Sequence, residues 1–291
     1  MARKGFLCGI NTYPTAPLRG CVNDVLDDAH ALVSVGWREA DLRLLLDDRA
    51  VKEEWAKRMA WLVDVEPGDS IFYAQSGHGA QVVTRNPRQE LDGMDEVYAL
   101  RPFAWNDIDG TAVRDKEFAD YFSRVPPGVN VFVMSDSCSS SDLMRNMPLA
   151  NPLIIVPRSY PVPPDIAWSL AAARKLGFAP RGILSILTDF WNVLFGPKKP
   201  ASGATPNLTT APLAYVSGCK SDQTAADTEV NGRPCGAMTH YFLEQLSLGL
   251  GKRFCDVVAA ARVALRAAHY AQEPQAEGGK IDQTCRTLLG I

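Results

Sequence analysis

Short apolar runs alternate with amphipathic helical patterns along most of the chain, and this alternation restricts the fold more than any other feature of the sequence. Runs such as "SIFYAQS" (70–76) and "VNVFVMSD" (129–136) carry too few polar positions to leave one face in water. Strands of this kind belong in a parallel sheet covered on both faces. Comparable runs are "GFLCGIN" (5–11), "LRLLLD" (42–47), "EVYALRP" (96–102) and "LAYVSGC" (213–219). Between them, "CVNDVLDDAHALVSVG" (21–36) sets Val22, Val25, Leu26, Ala29, Leu32 and Val33 at three- and four-residue spacings, with Gly36 as a helix stop. Further helices fit 51–64, 115–125, 237–250 and 254–270. The expected fold is α/β, with a mostly parallel central sheet and helices on both faces.

The plan breaks between residues 145 and 212, where Pro148, Pro152, Pro157, Pro161, Pro163, Pro164 and others through Pro212 crowd together. This divides the chain into a first block (1–144), a Pro-rich insertion or linker (145–212) and a smaller last block (213–291), forming one domain overall. The apolar stretches "PLIIVP" (152–157) and "ILSILTDFWNVLF" (183–195) predict that part of the insertion packs on the body. A length of 291 residues with 46% hydrophobic composition suits such a packed body. A net charge of −3 gives no general attraction to phosphate backbones or anionic membranes, which argues against nucleic acid as a partner. No apolar run reaches membrane-spanning length, and "MARKGFLCGIN" is too short for a signal-peptide core, so the cytoplasm is the expected location. The cysteines (Cys8, Cys21, Cys138, Cys219, Cys235, Cys255, Cys285) are odd in number, scattered and without a CxxC pair, which predicts free thiols.

Doubly wound sheets use the carboxyl ends of their strands, so chemistry is sought where a strand runs out into a loop. One such place is Ser76-Gly77-His78-Gly79 and the other is "FVMSDSCSSSD" (132–142), with Asp136, Cys138 and then Ser139 to Ser141. His30, His240 and His269 sit in helical patterns and read as structural; only His78 sits between glycines at a strand end. Cys138 is the matching nucleophile candidate, because a crowded polar loop after an apolar strand is costly to bury without purpose. Cys219, in "YVSGCKSD", is a competitor by the same logic, and spacing alone does not separate a His78/Cys138 pair from two unrelated residues. Asp136 and Cys138 are two apart on a strand or its extension, so they share a side. A carboxylate there raises a thiol pKa unless a cation arrives between them.

Four motifs, "LRGCVNDV" (18–25), "YAQSGHGA" (73–80), "MSDSC" (134–138) and "SGCKSDQTAAD" (217–227) with "GAMTHYFLEQL" (236–246), together resemble a type I metacaspase of prokaryotic kind, one of the caspase-like cysteine peptidases. The resemblance implies a caspase-like fold and an endopeptidase in which His78 is the general base and Cys138 the nucleophile, working through an acyl-enzyme. It implies an oxyanion hole from the backbone N–H groups of Gly79 and Cys138. It also implies a pocket of Cys21, Asp24, Ser76 and Asp136 that holds arginine or lysine before the cut; on spacing alone Asp24 reads rather as a helix N-terminal acid. Many members are calcium-activated, and Asp95, Asp115 and, more loosely, Asp142 match that site, although Lys116 stands where the family usually repeats an aspartate. The family commonly reads Cys-His-Ser-Gly where this chain has Cys138-Ser139-Ser140-Ser141. That departure leaves open an inactive pseudoenzyme acting as a scaffold. A nucleotide-binding protein is disfavoured, since neither GxxxxGK[ST] nor GxGxxG follows the first strand. The family is mostly monomeric, which implies a monomer. Arg174, Lys175 and Lys198 are candidate self-cleavage points in the insertion, whereas the bond after Lys199 precedes Pro200 and is a poor one.

Overall fold

In the computed structural model the chain is described over residues 1–85, 93–137, 155–175, 213–220 and 223–291. In chain order the strands are β1 (Arg3–Gly9), β2 (Leu42–Leu46), β3 (Ser70–Ser76), β4 (Gly79–Val83), β5 (Met94–Ala99), β6 (Ala112–Arg114), β7 (Asn130–Asp136), β8 (Val156–Pro157), β9 (Ala214–Ser217), β10 (Ala226–Val230), β11 (Arg233–Gly236) and β12 (Gln275–Glu277). The central sheet has the order β12-β9-β7-β3-β1-β2. Every neighbouring pair in it is parallel except the edge pair β12 and β9. This is the mostly parallel sheet that the apolar runs predict.

The expected strand at 96–102 forms as β5, but outside that sheet. It lies between β4 and β6 in an antiparallel sheet of its own, and β11, β10 and β8 make a third. A short buried run reads alike in either setting, so its sequence does not say which sheet it joins.

The helices that position the site are α1 (Cys21–Ser34), α2 (Lys52–Val63), α3 (Ile108–Thr111), α4 (Asp115–Phe122), α5 (Pro164–Lys175), α6 (Ala237–Leu248) and α7 (Phe254–Ala267). His269 follows α7 with a positive φ of 66°, so it ends that helix rather than lying within it.

Strand alternation divides the core cleanly. Phe6, Ile71, Tyr73, Val131 and Val133 face one side, where Trp55, Met59 and Leu62 of α2 and Phe118 and Phe122 of α4 cover them. Leu7, Phe72, Ala74, Phe132 and Met134 face the other, against Val25 and Leu32 of α1, Phe242 of α6 and Phe254, Val257 and Ala261 of α7. Helices therefore lie on both faces. Among the described residues all cysteines are free, and no helix is long and apolar enough to cross a membrane.

Phe132 stands at the centre of the second layer, 0% exposed, with ring centroids of Phe72 and Phe254 each 5.1 Å away. Phe132→Ala is expected to lower stability by about 3–5 kcal/mol, read from the urea unfolding midpoint. A loss below about 1 kcal/mol would contradict that placement.

Candidate active site

The parallel register brings the ends of β3 and β7 together, with Ser76 directly opposite Asp136 and, on the other side, opposite Gly9. Side chains at these positions meet beyond the carboxyl edge of the sheet. Past Ser76 the chain turns through Gly77 and His78 and returns as β4 from Gly79. A Cβ on Gly77 would come within 2.6 Å of the Tyr13 hydroxyl, so a side chain does not fit at that turn.

That hydroxyl holds the turn. It accepts the His78 backbone N–H at 3.0 Å and donates to the Ala99 carbonyl at 2.9 Å. The imidazole is 1% exposed, and its Nε2 lies 2.7 Å from the Ala16 carbonyl oxygen. A carbonyl only accepts, so the proton is assigned to Nε2 and Nδ1 presents a lone pair. Nδ1 is buried and has no partner among the described residues. Burial pushes the His78 pKa down from 6.5 to about 4, against the opposing pull of the hydrogen bond to the Ala16 carbonyl. The result is a neutral, oriented imidazole with one nitrogen available as a base. Cys138, two residues past the end of β7, lies outside the described residues, as do Ser139 to Ser141 and Asp142.

The structure gathers the other expected pocket residues, Cys21, Asp24, Ser76 and Asp136, around one point. Asp24 does not cap α1. Its carboxylate accepts the Gly236 N–H (2.7 Å) and the Ser76 hydroxyl (2.7 Å). Asp136 accepts both the backbone N–H and the hydroxyl of Thr239, at 3.1 and 2.8 Å. Cys21 is buried where α1 begins, and burial pushes its thiol pKa well up.

Three further participants were not among the expected pocket residues, although Asp227 and Gly236 lie within the quoted motifs. Asp227 on β10 points into the same space, its carboxylate accepting the N–H groups of Arg19 (2.8 Å) and Gly20 (2.9 Å). Gly236 leaves space there, since a Cβ on it would strike Asp136 and Arg158. The third, Arg158, comes from the Pro-rich segment and is 0% exposed.

The Arg158 guanidinium fills the pocket. Nη2 donates to Asp24 (2.7 Å) and Asp227 (2.9 Å), and Nη1 donates to the Ser76 hydroxyl (2.8 Å) and the Asp136 carbonyl (3.1 Å), with the Asp136 carboxylate 3.2 Å away. Burial works against its charge, but Asp136, Asp24, Cys21 and Asp227 outweigh it and hold the pKa above the ordinary value. Burial pushes the Asp24 carboxyl up to about 6, Asp136 adding to the shift and Arg158 opposing it.

Cys219, the competing thiol, is buried after β9 and donates to the Gln223 carbonyl at 3.4 Å rather than to an imidazole.

Asp95 and Asp115 are both 1% exposed and lie beside the antiparallel sheet, on β5 and at the start of α4. The Asp95 carboxylate is held by Arg114 at 2.6 Å and by the Lys116 ammonium, and Asp115 accepts the Lys116 N–H at 2.8 Å. Among the described residues no three His, Cys, Asp or Glu side chains are grouped so as to hold a metal ion. Calcium needs several oxygen ligands left open to it, and as they stand these residues do not fit it, because cations of the chain already sit on Asp95.

The family described as metacaspase, peptidase C14 domain, matches residues 3–147. Metacaspase-1 of Kluyveromyces lactis is 30% identical over 303 residues, covering 99% of this chain and 68% of its own length. Metacaspase-1 of Lodderomyces elongisporus is also 30% identical, over 94% of this chain, and the chain spans 64% of that protein. Among solved structures, a Geobacter sulfurreducens protein superposes with a TM-score of 0.63 at 20% identity, over 96% of this chain and 94% of its own. Caspase-1 of Spodoptera frugiperda does so with a TM-score of 0.52 at 10% identity, over 95% and 86%. At those identities the likeness to solved structures is one of fold, and the fold is the caspase one. With the relatives matching over nearly its whole length, the chain belongs to the metacaspase family of C14 peptidases.

Proposed function

We infer that the protein is a cysteine endopeptidase that cuts peptide bonds after arginine or lysine, with Cys138 as nucleophile and His78 as its general base. The observation that carries this reading is a guanidinium held by Asp24, Asp136 and Asp227 beside the His78 turn. A pocket that holds one arginine through three carboxylates selects for cationic side chains and repels acidic ones.

In this reading the Cys138 thiol gives its proton to His78 Nδ1 and the thiolate attacks the scissile carbonyl. The oxyanion is held by the N–H groups of Gly79 and Cys138, His78 passes its proton to the leaving amine, and water then clears the acyl-enzyme. Ala16 keeps the imidazole in the required tautomer throughout. Asp136, which on its own would disfavour a nearby thiolate, has its charge answered by the cation in the pocket.

The test is hydrolysis of matched fluorogenic peptides ending in Arg, Lys or Asp. Cleavage is expected after Arg and Lys only, with a loss of at least about 1,000-fold in kcat/KM in Cys138→Ala and in His78→Ala. Equal cleavage after Asp would overturn the pocket assignment, and unchanged rates in Cys138→Ala would overturn the nucleophile.

The imidazole gives a second prediction. Because the folded pKa is depressed from 6.5 to about 4, His78 is neutral at neutral pH and takes up a proton only as the pH falls through that lower value. An NMR titration of His78 in the Cys138→Ala protein should give a midpoint well below 6.5; a midpoint at or above 6.5 would rule out a desolvated base.

Calcium activation is proposed only in competition with the ion pairs on Asp95. Binding has to draw that carboxylate away from Arg114 and Lys116. Lys116→Asp is therefore expected to lower the calcium concentration for half-maximal activity at least about ten-fold. An unchanged calcium response in this variant would remove Asp95 and Lys116 from any calcium site.

A further inference from the structure

One buried acid close to the cation pocket takes no part in it. Asp28 lies on α1 one turn after Asp24 and is 3% exposed, yet its Oδ1 has no hydrogen-bond partner among the described residues. Buried polar atoms are nearly always paired, so an unpaired one points to a group supplied from outside the chain.

Asp28 lines a narrow slot between α1, α6 and the sheet, with a cavity volume of about 50 Å³. Phe72 of β3 and Phe132 and Met134 of β7 line it from the sheet, and Leu32 of α1 and Phe242 and Leu246 of α6 from the helices. Ser34 and Ser247, both exposed, line it too, so the slot opens to the surface. Val33 and Leu248, which adjoin these serines in sequence, are large apolar side chains exposed at 36% and 72%. Apolar surface therefore continues outside the slot. Asp24, Ser76, Asp136 and Asp227, which hold Arg158, do not line it, and Asp28 is the only ionisable side chain in the described lining.

The charged groups that act on Asp28 are themselves acids. Burial pushes its carboxyl well above the ordinary value, and Asp24, Asp136 and Asp27 each add to the shift. An anionic ligand would add to that repulsion and a cationic one would relieve it. Apolar walls with a single acid match a ligand with an apolar chain and a single positive charge. A volume of this size holds a few carbon atoms, so the chain is short and unbranched, with its end toward the mouth.

We propose that the slot between α1, α6 and the sheet is a binding site for a short primary alkylamine, its ammonium on Asp28 and its chain among Phe72, Phe132 and Leu246. With the ammonium beside it Asp28 is held ionised, and any proton it carried passes to water. The slot backs onto the carboxylate cluster, because α1 carries both Asp24 and Asp28, β7 runs from Met134 to Asp136, and Thr239 of α6 holds Asp136. A charge gained at Asp28 is therefore felt at Asp24 and Asp136. Binding in the slot does not depend on the peptidase reading.

The test is a titration of hexylamine onto the intact chain at neutral pH, followed by calorimetry and by the methyl signals of Met134 and Leu246 in NMR. One ligand per chain is expected, with both methyl signals shifted. Hexanol should bind at least about ten-fold more weakly, for want of the charge, and hexanoate not measurably. Each methylene that the walls cover is worth about four-fold, so methylamine should also lose at least about ten-fold. Asp28→Asn, which keeps the shape and removes the charge, should weaken hexylamine binding at least about ten-fold, and Ala31→Leu should do the same by filling the slot from α1. The comparison with hexanol and hexanoate uses the wild-type chain, so it decides the matter even if a variant fails to fold. Equal affinity for hexanol or hexanoate would overturn the choice of a cation. Undiminished binding in Asp28→Asn, shifts confined to other methyl groups, or no saturable binding would overturn the site.

Discussion

A guanidinium shut away from water has to be matched by charge and hydrogen bonds, and in this chain the match is made by groups from almost every part of the fold. Asp24 comes from α1, Ser76 from β3, Asp136 from β7 and Asp227 from β10, and Arg158 ties them at distances of 2.7 to 3.2 Å. Gly236 and Thr239 then hold two of those carboxylates from β11 and α6. The first and last blocks of the chain are joined at this point as well as through the sheet. Removing the guanidinium alone would leave several buried carboxylates facing one another, which costs more than the pairing contributes when intact. The carboxylate cluster is therefore favoured with the cation in place.

The second constraint is the carboxyl edge of the sheet. Ser76 and Asp136 are neighbours because β3 and β7 pair in parallel and in register, and His78 follows two residues later. A slip of one residue in either strand would turn its side chain to the opposite face and part the two. Registers of this kind are set by the apolar alternation below them, Tyr73 and Val133 on one face and Phe72 and Phe132 on the other. Core packing and site geometry are the same specification, read at two ends of the same strands.

This explains what could be read in advance. The central strands and the helices at 21–34, 52–63 and 237–248 follow from apolar spacing, because each buries a continuous face against the sheet. His78 and Asp136 stand out at strand ends, whereas Cys21, Asp24 and Ser76 were expected in the pocket only through the family resemblance, Cys21 and Asp24 lying at the start of α1. Arg158 was not, for its strand, β8, is two residues long and carries no period, and the prolines around it read as a break in structure. Asp227 ends one of the recognised motifs, yet its role depends on β10 meeting β8, a pairing between segments far apart in sequence. The separate sheet of β4, β5 and β6 escaped for a similar reason, since antiparallel partners leave no mark on so short a buried run.

Because Asp24, Asp136 and Asp227 hold Arg158 together, weakening Asp24 or Asp227 loosens it, and so does acidification through about pH 6, where Asp24 takes up a proton and loses its charge. The contacts of Tyr160, two residues on, lie elsewhere. Tyr160 packs against Tyr13, His78 and Phe103 at ring separations of 5.7, 5.3 and 4.6 Å, and the Trp105 indole donates to the Pro161 carbonyl at 3.2 Å. Buried charge holds Arg158 and aromatic packing holds Tyr160, so a sequence change at Tyr160 leaves the charge cluster undisturbed.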